Sequence, residues 1–545
     1  VTHSKIILTA CRLFSASVAA AMVILGSVAP SQSQALCGTV PYPSSSQTPA
    51  PILTGPYVWS FVSEPTLRPM KVATAAYGAG PDPGVVFVAP YAYSADPSVG
   101  QQGALVLDNA NPANPIWIRP TGSPNLMNTD FRVQQFNGKP VLTFWQGTLA
   151  TPPTYTNIPA GSSETGSCFY ILDNTYRVIK TVVAQRGFTS DVHEFLLTPS
   201  NTALLLSTKA VPMNLAPYGG PQNGYVQDFA VQEIDLNSGQ LVFFWDALTN
   251  IPLANSYEPA SSATSTGNIW DAYHLNSVGL TDSPTDILVS GRNLWTIFRI
   301  NKPTGRIIWQ LGGKQSSFTF GSGATFSWQH DARFLPNNVV SMFDDNCCES
   351  GTVPPGTPPS HALYLQLNLS NMTASLAAAY LFDPTLHVES QGNAQTLSDG
   401  HVFVGWGQSQ YYSEFAAAGD LLYLGTIPSI PLDSSHTATN YSYRAYRETW
   451  VGMPYYPPAI ALQAGSSRGQ TIVYTSWNGA TEVASWQFLA GPNAPGMLPV
   501  QTVAKTGFET SLTTTAPGPF FQTKALDIHG NVIGASNILR MWAVP

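Results

Sequence analysis

"QEIDLNSGQLVFFW", Gln232–Trp245, sets two short apolar runs on either side of Asp-Leu-Asn-Ser-Gly. Each run suits a strand, and Asp235 with Gly239 supplies the side-chain acceptor and the permissive backbone of a tight reversal. The stretch therefore predicts a β-hairpin. The same pattern returns as "LVLDNANPANPIW" from Leu105, "YILDNTYRVIKTV" from Tyr170 and "FRINKPTGRIIW" from Phe298. It continues as "YLQLNLSNMTASL" from Tyr364 and "SEFAAAGDLLYL" from Ser413. The turn residues Asp108, Asp173, Asp235, Asn301 and Asn368 stand 65, 62, 66 and 67 residues apart, and the last interval is shorter. A hairpin repeated at so long a period, with further short strands between copies, indicates the blades of a β-propeller. Six copies predict six blades.

The composition agrees. Charged residues form 10% of the 545, against about 25% in an ordinary globular chain. Pro (45) and Gly (44) are abundant, and aromatics reach 11%. Such a chain is all-β and turn-rich, neither helical nor disordered. The net charge of −8 comes without a basic run, so nucleic acid is not an expected partner. Residues 36–454 are expected to form the propeller. Residues 455–545 break the repeat and show strands with closely spaced turns, which predicts a small C-terminal β-sandwich of fibronectin or immunoglobulin type.

Residues 1–35 read as a signal peptide: Lys5 and Arg12, then the apolar Ser15–Val28, then Ser33-Gln34-Ala35 as a small-residue cleavage site. A secreted, periplasmic or cell-surface protein is expected, with no stable membrane insertion after cleavage. Four cysteines would remain: Cys37, Cys168, Cys347 and Cys348. In an exported chain they favour disulfides, and three pairings are open. The adjacent pair can bridge to the two distant cysteines or close on itself.

Four histidines occupy successive repeat intervals: "DVHEF" (His193), "WDAYHLNSV" (His274), "FSWQHDARF" (His330) and "LHVESQGNAQ" (His387). Rotation about a common axis would bring such positions to one channel. A ring of imidazoles serves a metal, with Asp271, Asp331 and Glu389 nearby, or a quinone or sugar site, or group transfer through a nucleophilic imidazole. Arg333 beside His330 favours the third, because a guanidinium suits sulfate or phosphate oxygens and would repel a cation. No metal or cofactor is expected. Asp344 and Asp345 in "FDDNCCES" offer at most a structural calcium site. His361, His401, His436 and His529 are expected to be structural or superficial. Arg292 and Arg299 are expected to pair with neighbouring blades.

"WDAYHLNSV", "ILVSGRNLWTIFRINKPTGRIIWQLGGK", "FSWQHDARF" and "QGNAQTLSDGHVFVGWG" together resemble the second, broadly distributed branch of the arylsulfotransferase-like propeller proteins. "RETWVGMP" and "YTSWNGATEVASWQFLAG" are similar to that branch's C-terminal end. The resemblance implies transfer of a sulfuryl group from an aryl sulfate donor to a phenolic acceptor, through a channel histidine and without a nucleotide donor. It implies His274, His330, Arg333 and His387 as catalytic positions, with His387 the favoured carrier. His193, Asn276, Gln391, Asn393 and Trp406 are then candidates for substrate binding. The other class of function is a non-catalytic propeller that binds a glycan, a phenolic ligand or a partner protein.

Overall fold

The computed structural model describes residue 37 and residues 55–78, 80–92, 98–123, 126–148, 167–263, 269–347, 353, 355–431 and 437–541. The expected signal peptide, His436 and Cys348 lie outside them. The described residues form an all-β molecule, with six mainly antiparallel sheets of four or five strands and a two-stranded one, Ser429–Pro431 with Thr437–Thr439, ahead of two further sheets.

Sheet A runs Met127–Phe136, Lys139–Gly147, Cys168–Leu172 and Val178–Val182. Sheet B runs Thr189–Leu197, Thr202–Met213, Gly224–Asp235 and Leu241–Asp246. Sheet C runs Leu275–Leu280, Asp286–Gly291, Thr296–Asn301 and Arg306–Gly312. Sheet D runs His330–Leu335, Val339–Asp344, His361–Asn368 and Thr373–Tyr380, with Thr319–Phe320 at its edge. Sheet E runs Asn393–Thr396, Val402–Gly405, Tyr411–Phe415 and Leu421–Thr426, with Ala73–Ala76 added outside. Sheet F joins distant parts of the chain: Tyr441–Glu448 pairs with Val85–Tyr91, which continues through Gly103–Leu107 and Pro115–Pro120.

Every expected hairpin is present, as the outer pair of strands in sheets A, B, C and F and just inside the added edge strand in sheets D and E. At Asp235 the carboxylate accepts hydrogen bonds from the backbone N–H of Asn237 and Ser238, and Gly239 takes a φ of 74°. The turn chemistry read from the sequence thus closes the hairpin.

Apolar residues run continuously along the central strands because both faces of each sheet are buried. In sheet A, Phe169 and Ile171 pack toward sheet B, while Tyr170 and Leu172 pack toward sheet F. The same division recurs throughout. Separate apolar clusters lie between A and B, B and C, C and D, D and E, E and F, and F and A. Trp117 and Trp145 are almost fully enclosed in two of them; burial of one large apolar side chain contributes about 1.5–3 kcal/mol.

Downstream, Ala459–Ala464, Thr471–Ser476 and Glu509–Thr514 form one sheet. Leu498–Ala504, Ser485–Gly491, Phe520–Leu526 and Val532–Ala535 form another. Val473, Trp486, Phe488 and Phe521 share a core across them. Asn478 binds both the N–H and the C=O of Ile118, fastening this region to sheet F. Cys37 and Cys168 form a disulfide. The two distant cysteines therefore pair with each other and do not bridge to the adjacent pair; Cys347 is also disulfide-bonded.

Candidate functional site

The first strand of each sheet carries the chemistry, and most of these strands are irregular at the same level. Register shifts occur between Thr129 and Arg132 in sheet A, Leu275 and Ser277 in sheet C, and His330 and Arg333 in sheet D. A bulge leaves residues unpaired and re-aims side chains. Asp130, His274, Asp331 and Gln391 adopt φ values of 49°, 46°, 55° and 74°, in a region that non-glycine residues occupy at a cost.

These irregularities gather three imidazoles from three sheets. The ring centroids of His193 and His274 are 4.8 Å apart, those of His193 and His330 6.5 Å, and those of His274 and His330 6.4 Å. Each ring is held by a carboxylate at Nδ1: His193 by Asp191 at 2.5 Å, His274 by Asp271 at 2.5 Å, and His330 by Asp345 at 2.7 Å. His330 is buried, and its Nε2 accepts the backbone N–H of Gln391 at 3.2 Å. Since an amide can only donate, Nε2 is unprotonated and Nδ1 carries the hydrogen. Burial, reinforced by Arg292, His274 and His193, pushes the imidazolium of His330 well below its ordinary range, so the ring is neutral. Burial alone would raise the Asp271 carboxyl, but His274, His193 and Arg292 hold it below its ordinary value.

Beyond the histidines lies a belt of six charges. Arg444 bonds Asp130 at 2.8 Å, Glu194 at 3.3 Å and the carbonyl of Asn276 at 3.1 Å. Arg132 bonds Glu194 at 2.6 Å. Arg333 bonds Glu194 at 2.7 Å, the carbonyl of Val278 at 3.1 Å and the carboxylate of Asp331. Burial would raise Glu194, but Arg333, Arg444 and Arg132 lower it to about 2. Three guanidiniums thus face three carboxylates. Past the belt, where these strands end, a cavity of about 640 Å³ is lined by Gln134, Leu197, Leu280, Arg333, Gln395 and Glu448 among others.

The expected site residues divide accordingly. His193, His274 and His330 come together. Arg333 does not turn toward them; its guanidinium is taken by the belt. Asn276 donates to the carbonyl of Gln329. Asn393 bonds both backbone groups of Ala445 and staples sheet E to sheet F. Gln391 meets His330 through its backbone, while its side chain accepts from the Tyr91 hydroxyl at 2.8 Å. Trp406 is fully buried against Phe343 and Phe382 and donates to Ser413, which makes it a core residue. His387 makes no ring contact with the three histidines, and its Nδ1 is buried with no partner. Its segment still reaches the site, through the Gln391 amide and through Glu389, whose carbonyl accepts from Arg292 at 2.9 Å.

Arg292, expected only to pair with a neighbouring blade, instead acts on His330, Asp271 and Asp345 and lies 4.7 Å over the ring of Trp328. The sequence reading passed over Asp191 and Asp345 as partners of His193 and His330. Asp191 was visible two residues before its histidine. Asp345 was not, because only the pairing of His330 with Phe343 brings it close.

Asp344 and Asp345 are fully buried, and burial pushes both carboxyls up, Asp344 to about 8. Neutral acids are poor ligands for calcium. A measurable consequence follows for Asp344, whose ordinary value is 3.8. Between about pH 4 and pH 8 the folded protein keeps a proton that the unfolded chain has lost. The stability contributed by the neutral acid is complete below that window and is lost as pH rises through it. Asp344→Asn cannot titrate, so wild type should lose stability relative to the variant from pH 4 to 8. Denaturation midpoints across that range measure the difference; a flat difference counts against a buried neutral acid.

The arylsulfotransferase (ASST) family model matches residues 132–423, from the belt's Arg132 through all three histidines and His387. No curated protein sequence matches the chain. Among solved structures, the periplasmic gluconolactonase PpgL of Pseudomonas aeruginosa is similar over 80% of this chain and 99% of its own, at 12% identity and a TM-score of 0.32. Kluyveromyces lactis Hsv2 is similar over 70% of this chain and 100% of its own, at 9% identity and a TM-score of 0.30.

Proposed function

The chain belongs to the arylsulfotransferase (ASST) family, and from that premise we propose that it moves a sulfuryl group from an aryl sulfate to an acceptor phenol. The observation that carries this reading is the convergence of His193, His274 and His330 from three sheets. His387 is the carrier. It alone of the four lacks a carboxylate on Nδ1, so its ring is not fixed in place as the other three are. A ring nitrogen of His387 attacks sulfur, the bond from sulfur to the aryl oxygen breaks, and the departing phenolate takes a proton from the histidine cluster. The acceptor phenol then returns a proton to the cluster and attacks sulfur, the N–S bond breaks, and His387 is restored. The scheme is ping-pong.

Arg292 takes the role expected of Arg333, neutralising the sulfuryl oxygens, since Arg333 is committed to Glu194 and Asp331. An aryl ring has a platform beside it. Tyr257 stacks on Trp295 at 3.8 Å, and Trp295 meets Trp328 at 5.3 Å; all three are partly exposed. The test is a reaction with p-nitrophenyl sulfate and no acceptor. A burst of one p-nitrophenolate per chain is expected, with a sulfuryl group on the His387 peptide by mass spectrometry. No adduct on any histidine, together with no turnover across a panel of aryl sulfates, would sink the reading.

We read sheets A to F as six propeller blades over residues 36–454, and residues 455–545 as a sandwich. Two features support this: apolar clusters lie between every consecutive pair including F and A, and sheet F is made from strands far apart in the chain. A secreted or periplasmic location is supported by the Cys37–Cys168 disulfide. Among the described residues no helix is long and apolar enough to cross a membrane.

A further inference from the structure

Each of His193, His274 and His330 offers one ring nitrogen, and these nitrogens lie within 4.8 Å of one another. Nδ1 of each is bonded to a different carboxylate, of Asp191, Asp271 and Asp345. Nε2 is therefore the donor each ring has to spare. This is the arrangement that metal-binding imidazoles take: the outer nitrogen bonds a carboxylate, which fixes the tautomer, aims the ring and makes the inner nitrogen a better ligand. His401 also bonds a carboxylate, Glu414, through Nδ1, but it stands alone, whereas here three such rings converge. The sequence argument against a cation was the charge of Arg333, and Glu194 and Asp331 neutralise that charge in the belt.

We propose that His193, His274 and His330 bind a divalent cation of the zinc class through Nε2, leaving a fourth position open. Neutral imidazoles suit zinc, cobalt, nickel or copper, whereas magnesium and calcium require oxygen ligands. His330 must exchange the Gln391 amide for the ion. That amide bond is at the long end of the ordinary range, at 3.2 Å, and comes from a residue at a φ of 74° in a connecting segment. The carboxylates of Asp191 and Asp271 offset the charge of the ion and the presence of Arg292, while Asp345 orients His330 as a hydrogen-bond acceptor. Three protein ligands with one open position is the pattern of a catalytic zinc site, in which the ion acts as a Lewis acid. The inference deepens the sulfuryl-transfer reading and rests on it for the ion's task alone. That task is to stabilise the leaving phenolate oxygen in place of a proton from the cluster.

The test uses the full chain, stripped with a chelator and titrated with Co²⁺. One equivalent is expected to produce the visible absorption of tetrahedral cobalt, and Zn²⁺ should displace it. His193→Ala and His274→Ala should abolish the signal, with folding checked by circular dichroism. Asp271→Asn, which keeps every ligand, should weaken binding by about 10- to 100-fold. His529→Ala, on an exposed turn, should bind as wild type does. Absence of a stoichiometric cobalt spectrum in the folded wild-type chain overturns the proposal, as does undiminished binding by both histidine variants. Sulfuryl transfer that persists in the metal-free chain overturns the ion's role and spares the sulfuryl-transfer reading. Metal binding without any transfer upholds the cation site and overturns the sulfuryl-transfer reading.

Discussion

Replacing Arg444 by methionine lowers the stability of the protein by about 3–5 kcal/mol, the loss expected when one partner of a buried ion network is removed. Arg444 is almost inaccessible to water, and its guanidinium reaches Asp130 in sheet A, Glu194 in sheet B, Asn276 in sheet C and Asp331 in sheet D. It belongs to sheet F, so one side chain ties five sheets together. Without it, Asp130 and Glu194 keep Arg132, and Glu194 and Asp331 keep Arg333, but three carboxylates then face two guanidiniums, with Asp130, Glu194 and Asp331 themselves buried. The loss arises from that surplus charge, more than from the strength of any one pair. Removing a carboxylate as well should therefore restore part of it. R444M combined with Glu194→Gln is expected to be more stable than the sum of the two single losses, by a coupling of about 0.5–3 kcal/mol. Chemical denaturation of the four proteins measures it. Additive losses would show that the belt does not act as one network.

His387→Ala abolishes transfer while leaving the fold intact, with kcat falling on the order of a thousandfold or more. The ring of His387 bonds no other described residue, so its removal orphans no buried partner among them, and thermal stability should change little. Loss of the carrier stops both half-reactions, so the burst disappears along with turnover. Imidazole added to the solution should restore part of the activity by standing in for the missing ring. His274→Ala differs in its expected behaviour. It removes part of the cluster that stabilises the leaving oxygen, so activity falls by about 10²–10⁴, most steeply for donors with poor leaving groups. A sulfuryl adduct that survives in H387A and vanishes in H274A would transfer the carrier's role to His274.

The hairpin repeat was legible because each hairpin is local. Asp235 and Gly239 act within a few residues of each other, and the physics of the turn is complete in that span. The rotational repeat grouped His387 with His193, His274 and His330; the last three meet, whereas His387 makes no ring contact with them. What the sequence could not supply was direction. Arg333 follows His330 by three residues, yet a bulge turns it to Glu194 in another sheet. Arg292 sits in a short turn 38 residues before His330 in the chain and acts on that ring through space. Trp406 and Asn393 carry side chains fit for a ligand, but packing and the backbone of Ala445 occupy them.

The sequence by itself determined the hairpins and their repeat, because turn chemistry and apolar runs depend on neighbours in the chain. The tertiary structure alone decided which charges answer which. A guanidinium or carboxylate acts across a few ångströms whatever its number, and Arg444, Asp345 and Arg292 reach their partners only after six sheets have packed face to face.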